Sequence, residues 1–286
     1  MNKSKFKSRL IIGSANFTQN YGVDSIRIKN EEIKKILSLA KKNNINKIDT
    51  AENYLKNNLL FTNINKQFKI FSKIEPNSKW ISLEFCQKKL EDHIKSFNNN
   101  SFEIIFFHDI RILFTKNGLK IFKNLEELKK KKYFKKIGIS IYDTNCLNYL
   151  IRKYHFDAVQ CPYNILNKKI LTTGWFEKLK DHKIETHIRS VFLQGLLVNK
   201  SLYKNKYFKK WQKFFFEWFQ KLDKNKISPI DYCLNDLIKY DFDKIVIGIN
   251  DSNNFKEIMN FNITDKNKMI NFNINDTKLT DPRNWK

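Results

Sequence analysis

The chain has 286 residues, 41% of them hydrophobic, and a formal net charge of +25. That content supplies one sizeable core, as one large domain or two small ones, while no apolar run reaches the length of a membrane span and the four-residue run before Ser14 is too short for a secretory signal. The charge would attract nucleic acid or an anionic membrane, but the lysines run from Lys3 to Lys286 with no arginine-rich tract, so a solvated lysine surface with neither partner is expected.

In chain order, residues 9–17 read as a first strand. NEEIKKILSLAKKN (30–43) follows as a helix, with Ile33, Ile36, Leu37 and Ala40 on one face, acids first and lysines last. Strands are expected over 47–51 and 68–74, then a helix over 82–97 with Ser82 as a partial cap. Next come strand 102–109, helix 119–132 with the Lys129–Lys132 run at its end, strand 135–142, helix 143–154 and strands 157–163 and 184–191. A longer insertion, 199–228, precedes the last repeat; its YFKKWQKFFFEWFQKL (207–222) suits a helix packing aromatics on a core better than one lying on a membrane. Pro229 opens a helix over 228–240, strand 243–249 follows, and 262–286 reads as a surface wrap.

Most strand runs are continuously apolar, the mark of strands covered on both faces. Eight strands alternating with helices imply parallel pairing and right-handed crossovers. The expected fold is therefore α/β, a closed (β/α)8 TIM barrel forming a single domain over 1–286; such barrels typically have about 250 residues. A doubly wound sheet is the alternative, but no GxGxxG follows the first strand and the chain has only seven glycines. Cys86, Cys146, Cys161 and Cys233 are far apart, with no CxxC, and read as reduced thiols of a cytoplasmic protein rather than metal ligands.

In such a barrel, chemistry lies at the C-terminal strand ends. Those ends deliver Asp49 and then Tyr54, Lys73 and His108. A solvated lysine, a packed tyrosine or a capping aspartate is the ordinary reading of each alone; four on consecutive strands suggest proton donation to a carbonyl. Tyrosine is a reluctant acid, with a reference pKa of about 10. Lys73 would lower it, Asp49 would neutralise the buried Lys73, and His108 would donate a hydrogen bond to the substrate oxygen. Hydride must come from a cofactor, since no side chain supplies one. His155, His182 and His187 carry no assigned role and read as surface or strand-edge residues; His93 is expected to be exposed in mid-helix.

The motifs IDTAENY, FSKI and IIFFHD resemble the Asp-Tyr-Lys-His tetrad of the aldo-keto reductases in order and strand context. The resemblance implies catalytic roles for Asp49, Tyr54, Lys73 and His108 and a nicotinamide dinucleotide, NADPH with NAD as the alternative, extended across the barrel mouth. LIIGSANFTQNYGV (10–23) is similar to the family's opening segment and places Gly13 and Ser14, with Asp49, beside the cofactor. Ser140 and Gln160 are implied at the nicotinamide carboxamide, and Arg189 where relatives stack an aromatic. Ser190, Gln194, Gly195 and Leu197 follow the pyrophosphate; Gly248, Asn250, Ser252, Asn254 and Glu257 lie toward adenosine, with Asp251 opposing a 2′-phosphate and Lys256 able to compensate. The chain departs from the pattern at Leu55, Lys56 and Asn57 after the tyrosine and at Ile141 after the strand-five serine. The implied partner is a small-molecule carbonyl, sugar-derived and of the surface-polysaccharide type, acted on by a monomer or weak homo-oligomer. Loops 17–25, 110–118 and 199–226 are expected to set specificity. A catalytically weak, cofactor-binding member of the same fold is the alternative.

Overall fold

The computed structural model describes residues 2–25, 27–54, 67–264, 274 and 276–285. Its strands are β1 (Leu10–Gly13), β2 (Lys47–Asp49), β3 (Lys69–Ile74), β4 (Phe102–Phe107), β5 (Phe134–Ser140), β6 (Ala158–Pro162), β7 (Glu185–Arg189) and β8 (Lys244–Gly248). They pair in sequence order, all in parallel, and β8 closes on β1 in the register Leu10↔Ile245 to Gly13↔Gly248. The closed eight-stranded barrel expected from the alternating pattern is the fold.

Side chains alternate across a strand with period two. One set packs outward against the helices; the other fills the barrel as a separate apolar cluster of Ile11, Phe71, Ile104, Phe106, Ala158 and Val246. Gly138 of β5 belongs to this layer because there is no room for more: a Cβ there would lie 2.5 Å from the Phe106 ring and 2.9 Å from the Ala158 carbonyl oxygen. His187, expected at a surface or strand edge, instead stands inside the barrel. Its ring centroid lies 5.9 Å from that of Phe71 and 5.4 Å from that of Phe106, and Nε2 is 2.9 Å from Glu185 Oε2. Moving two residues on from this layer reaches the C-terminal mouth, so Phe71 leads to Lys73, Phe106 to His108, Ala158 to Gln160 and His187 to Arg189. The strand period thus gathers the polar residues in one ring.

The expected helices occur with their bounds shifted by one to four residues at one or both ends, as Asn30–Lys42, Leu83–Lys95, Gly118–Lys130, Leu147–Lys153 and Pro229–Leu237. Ser82 does cap, its hydroxyl accepting from the Phe85 amide at 3.2 Å. The first strand is shorter than the apolar run. It stops at Gly13, and Ala15–Thr18 turns helical, with Asn16 Nδ2 donating to the Ile249 carbonyl at 3.0 Å. Helices that the sequence did not announce include Lys3–Arg9 before β1, and Lys169–Thr172 and Trp175–Asp181 between β6 and β7. In the insertion, helix Gln212–Lys224 buries Phe215, Trp218 and Phe219, and Trp218 Nε1 donates to the Leu197 carbonyl at 3.1 Å. Its aromatics therefore pack the core, as expected. The tail segment around Arg283 reaches the mouth, where the Arg283 guanidinium lies 3.8 Å from the Tyr142 ring centroid. Residues 265–273 of the tail, and the departures at Leu55, Lys56 and Asn57, lie outside the described residues. Among the described residues no helix is long and apolar enough to cross a membrane.

His93 corrects a second expectation. It is 5% exposed, not solvated, because it shares the i, i+4, i+7 face of Cys86 and Leu90. Its Nε2 lies 2.7 Å from Ser72 Oγ. Burial pulls its pKa from 6.5 down to about 4. A lowered folded-state pKa means that the unfolded chain binds more protons between those values. Stability from this group is therefore complete above pH 6.5 and is lost as pH falls through 4, by about 3 kcal/mol at roughly 1.4 kcal/mol per pKa unit. The His93→Gln variant should show a shallower loss of melting temperature between pH 7 and pH 4 than the wild type; parallel curves would contradict this.

Candidate active site

A single cleft of about 450 Å3 at the C-terminal mouth touches Asp49, Tyr54, Lys73 and His108. Asp49 ends β2, and the chain then makes a 3-10 turn, Glu52–Tyr54, closed by the Tyr54 amide donating to the Ala51 carbonyl at 3.0 Å. Lys73 comes from β3. His108 follows β4, with its amide donating to the Ile74 carbonyl at 2.9 Å.

Asp49 and Lys73 are 5% and 3% exposed, so neither could stay charged without the other. Lys73 Nζ pairs with Asp49 Oδ1 and donates to the Thr50 carbonyl at 3.3 Å. An ammonium has three N–H donors, which leaves one uncommitted among the described residues. Asp49 Oδ2 accepts from Gln160 Nε2 at 2.8 Å. The Tyr54 and His108 rings meet edge to face, with centroids 6.2 Å apart at 88°.

Burial pulls the Lys73 pKa down, with Asp49 opposing. Burial also pushes the Tyr54 phenol well above its usual value; Tyr21 and Asp49 add to this, and Arg189 opposes. The activating cation assumed from sequence was Lys73. In the structure Lys73 is paired with Asp49, and Arg189 opposes the rise of the phenol. Burial, Lys73 and Arg189 pull the His108 pKa down, while Glu75 opposes.

Of the remaining candidates, Gly13, Ser14, Arg189, Ser190, Gln194 and Gly195 border the cleft, as do Gly248, Asn250 and Asn254. Ser140 and Leu197 are buried and do not border it, and neither does Gln160, whose amide nitrogen is engaged by Asp49. Ser252 and the exposed Glu257 lie on helix Ser252–Asn260, away from the lining. Arg189, expected to stack on a ligand ring, stacks on Tyr142 with 4.1 Å from guanidinium carbon to ring centroid, and donates to the Ile141 carbonyl at 3.1 Å.

Several site residues escaped the sequence reading. Tyr21 and Tyr142 border the cleft. Glu75 Oε1 approaches His108 Nδ1 at 2.8 Å. Glu32 Oε1 accepts from the Ser252 amide at 2.6 Å. Tyr142 and Glu75 each stand two residues beyond a mouth residue, Ser140 and Lys73, and the strand period would have found both.

The cleft's chemistry suits an elongated ligand with anionic and amide groups. Leu193, Gln194 and Gly195 have consecutive positive φ values of 47°, 52° and 90°, a backbone that the two non-glycine residues adopt only at a cost. Around that turn the amides of Val191, Phe192 and Gln194 have no acceptor among the described residues. Such free amides in a turn make an anion-binding concavity. Ser14 Oγ and Asn16 Oδ1 are buried with no hydrogen-bond partner, and space beside Gly248 is open where a Cβ would project. These features fit a dinucleotide. Among the described residues no cluster of three or more His, Cys, Asp or Glu side chains could hold a metal ion.

The family model described as "Aldo/keto reductase family" matches residues 9–241. Among solved structures, the holo form of an aldo-keto reductase from Bacillus halodurans is similar with a TM-score of 0.69 at 15% identity, covering 88% of this chain and 85% of that one. A Pseudomonas aeruginosa protein assigned to the aldo-keto reductases is similar with a TM-score of 0.63 at 16% identity, covering 88% of each chain. At these identities the structural likeness speaks for the fold alone. No curated protein matches the sequence.

Proposed function

Because the chain belongs to the aldo/keto reductase family, we propose that it is a nicotinamide-dependent oxidoreductase that reduces an aldehyde or ketone to an alcohol, or runs the reverse. The observation that carries this reading is the convergence of the Asp49–Lys73 pair, Tyr54 and His108 on one cleft. When bound, the dinucleotide supplies the hydride. Gly13, Ser14, Ser190, Gln194, Gly195, Gly248, Asn250 and Asn254 would hold it along the cleft.

Tyr54 holds the proton that the forming alkoxide needs, and its buried phenol keeps that proton at neutral pH. The uncommitted N–H of Lys73 is available to steady the phenolate left behind. Asp49 keeps Lys73 charged, and Gln160 keeps Asp49 in place, which gives Gln160 a structural part in this reading rather than a direct one on the carboxamide. His108 lines the same cleft, its ring meeting Tyr54 edge to face. The resemblance further implies a sugar-derived substrate, a monomer or weak homo-oligomer is expected, and the scattered cysteines without a CxxC pair suit a cytoplasmic location.

NADP is the cofactor form that the resemblance implies. One observation favours NAD as a second reading. The helix Ser252–Asn260 would offer its N-terminus to a 2′-phosphate, but carboxylates already use it. Asp251 Oδ1 accepts from the amides of Asn253 and Asn254, both at 2.8 Å, and Glu32 takes the Ser252 amide. The Ser252 hydroxyl first, then its amide and Lys35, hold the Glu32 carboxyl down to about 2, so it is ionised at any working pH. A fluorescence titration with NADPH and NADH measures the preference. Glu32→Gln should shift the affinity ratio toward NADPH by about fivefold, in keeping with a helix-terminus charge; an unchanged ratio counts against the carboxylate as the reason. An aldehyde and keto-sugar panel then tests the activity. The reading expects cofactor oxidation with at least one carbonyl, and binding without turnover on all of them would contradict it.

A further inference from the structure

We propose that Glu75 is a positioning residue that fixes the proton of His108 on Nδ1 and so presents Nε2 to the substrate oxygen as a hydrogen-bond acceptor at neutral pH. The catalytic consequence rests on the carbonyl-oxidoreductase reading; the placement of the proton does not.

Glu75 stands one residue beyond β3 and two beyond Lys73. Its Oε1 is 2.8 Å from His108 Nδ1, with a bent approach rather than an ideal in-line one. The same oxygen accepts from Asn53 Nδ2 at 3.0 Å. Asn53 adjoins Tyr54 in the 3-10 turn. Glu75 therefore ties the turn that carries the phenol to the imidazole that faces it.

Nδ1 is buried and makes no well-aligned hydrogen bond, and the Glu75 carboxylate is its close polar neighbour; His108 also lines the cleft, which leaves Nε2 as the nitrogen open to a ligand. An ionised carboxylate only accepts hydrogen bonds, and a neutral imidazole carries one N–H. With that N–H on the Glu75 side, Nε2 holds a lone pair and accepts. It donates only when the ring becomes imidazolium. The groups facing His108 decide when that happens. Lys73 from β3, Arg189 from β7 and burial oppose the cation, and Glu75 favours it. Tyr54 meets the ring edge to face, and Asp109, next in sequence, pairs with Arg111. The sequence assigned His108 a standing donor role. With the proton placed on Nδ1 that role becomes conditional: near neutral pH His108 accepts from an alcohol or phenol O–H, and it donates to a carbonyl only at acid pH. Carbonyl reduction should gain as pH falls through the His108 midpoint, and alcohol oxidation should gain above it.

The test uses the full-length chain with 15N-labelled histidine, the His108 signals being assigned from their loss in His108→Gln. In the wild type, NMR should find the neutral ring as the Nδ1–H tautomer. Glu75→Gln should lower the His108 midpoint by about half a unit, the modest size expected beside a half-exposed carboxylate, and mix the tautomers, since an amide can also donate. Glu75→Asp, which keeps the charge, should recover part of the shift. A wild-type ring in the Nε2–H form, or a Glu75→Gln ring that titrates like the wild type, overturns the proposal. The pH profile of reduction should follow the NMR midpoint. If the NMR signature is present while the wild type turns over no carbonyl, the role of Glu75 at the ring stands and the functional reading falls. If turnover is present without the signature, the role of Glu75 falls alone.

Discussion

Tyr54→Phe is expected to lower kcat for carbonyl reduction by about 1,000-fold, within the range that a positioned general acid contributes, and to leave dinucleotide affinity unchanged. The substitution removes one oxygen and keeps the ring that packs against His108 at 88°. Nothing else in the cleft can replace the lost proton well. Lys73 is anchored by Asp49 and the Thr50 carbonyl, and His108 is biased toward its neutral form. Steady-state kinetics and cofactor titration of the same preparation separate the two effects. A variant within tenfold of the wild type in kcat would mean that the proton comes from elsewhere, water included.

Asp49→Asn is expected to damage the fold as well as the chemistry. The side chain keeps its shape and loses its charge, and Lys73 is then a buried cation without a counterion. Breaking one partner of a buried pair typically costs about 3–5 kcal/mol. For a chain of this size that corresponds to a fall in melting temperature on the order of 10 °C. Burial already depresses the Lys73 pKa, and without Asp49 the depression deepens. Below the unfolded value of 10.5 the unfolded chain then binds more protons than the folded one, so the variant should regain stability as pH rises. Melting curves at pH 6 and pH 9 check both the size and the sign. A variant that melts with the wild type at pH 6 would show that the pair contributes little to the fold.

The barrel was legible because its signal is repetitive. Runs such as LIIG, FEIIFF and KIVIG are apolar on both faces, and amphipathic helices separate them. Asp49, Lys73 and His108 were legible for a related reason: each stands where an apolar run meets polar sequence at the same end of its strand. Tyr54 was reached through its closeness to Asp49. What stayed hidden depends on contacts between distant segments. Glu32 meets Ser252 across 220 positions, and Arg283 reaches Tyr142 from the tail. No local pattern announces either contact. Gln160 shows the opposite case, in which the strand end was readable but the partner was not. Its amide points to Asp49 because Asp49 offers a second carboxylate oxygen beside Lys73. His93 could have been read correctly, since Cys86, Leu90 and His93 share a helical face, yet its polarity suggested solvent.

Under the proposed function, the cleft would bring a dinucleotide's hydride to a carbonyl carbon while Tyr54 protonates the oxygen. The most direct test is reduction with a cofactor deuterated at the transferring nicotinamide carbon, followed by mass and NMR analysis of the alcohol. Deuterium bonded to the carbinol carbon, with that product nearly absent in Tyr54→Phe, is the predicted result. An alcohol with no deuterium at that carbon, or no alcohol from any carbonyl offered, would contradict it.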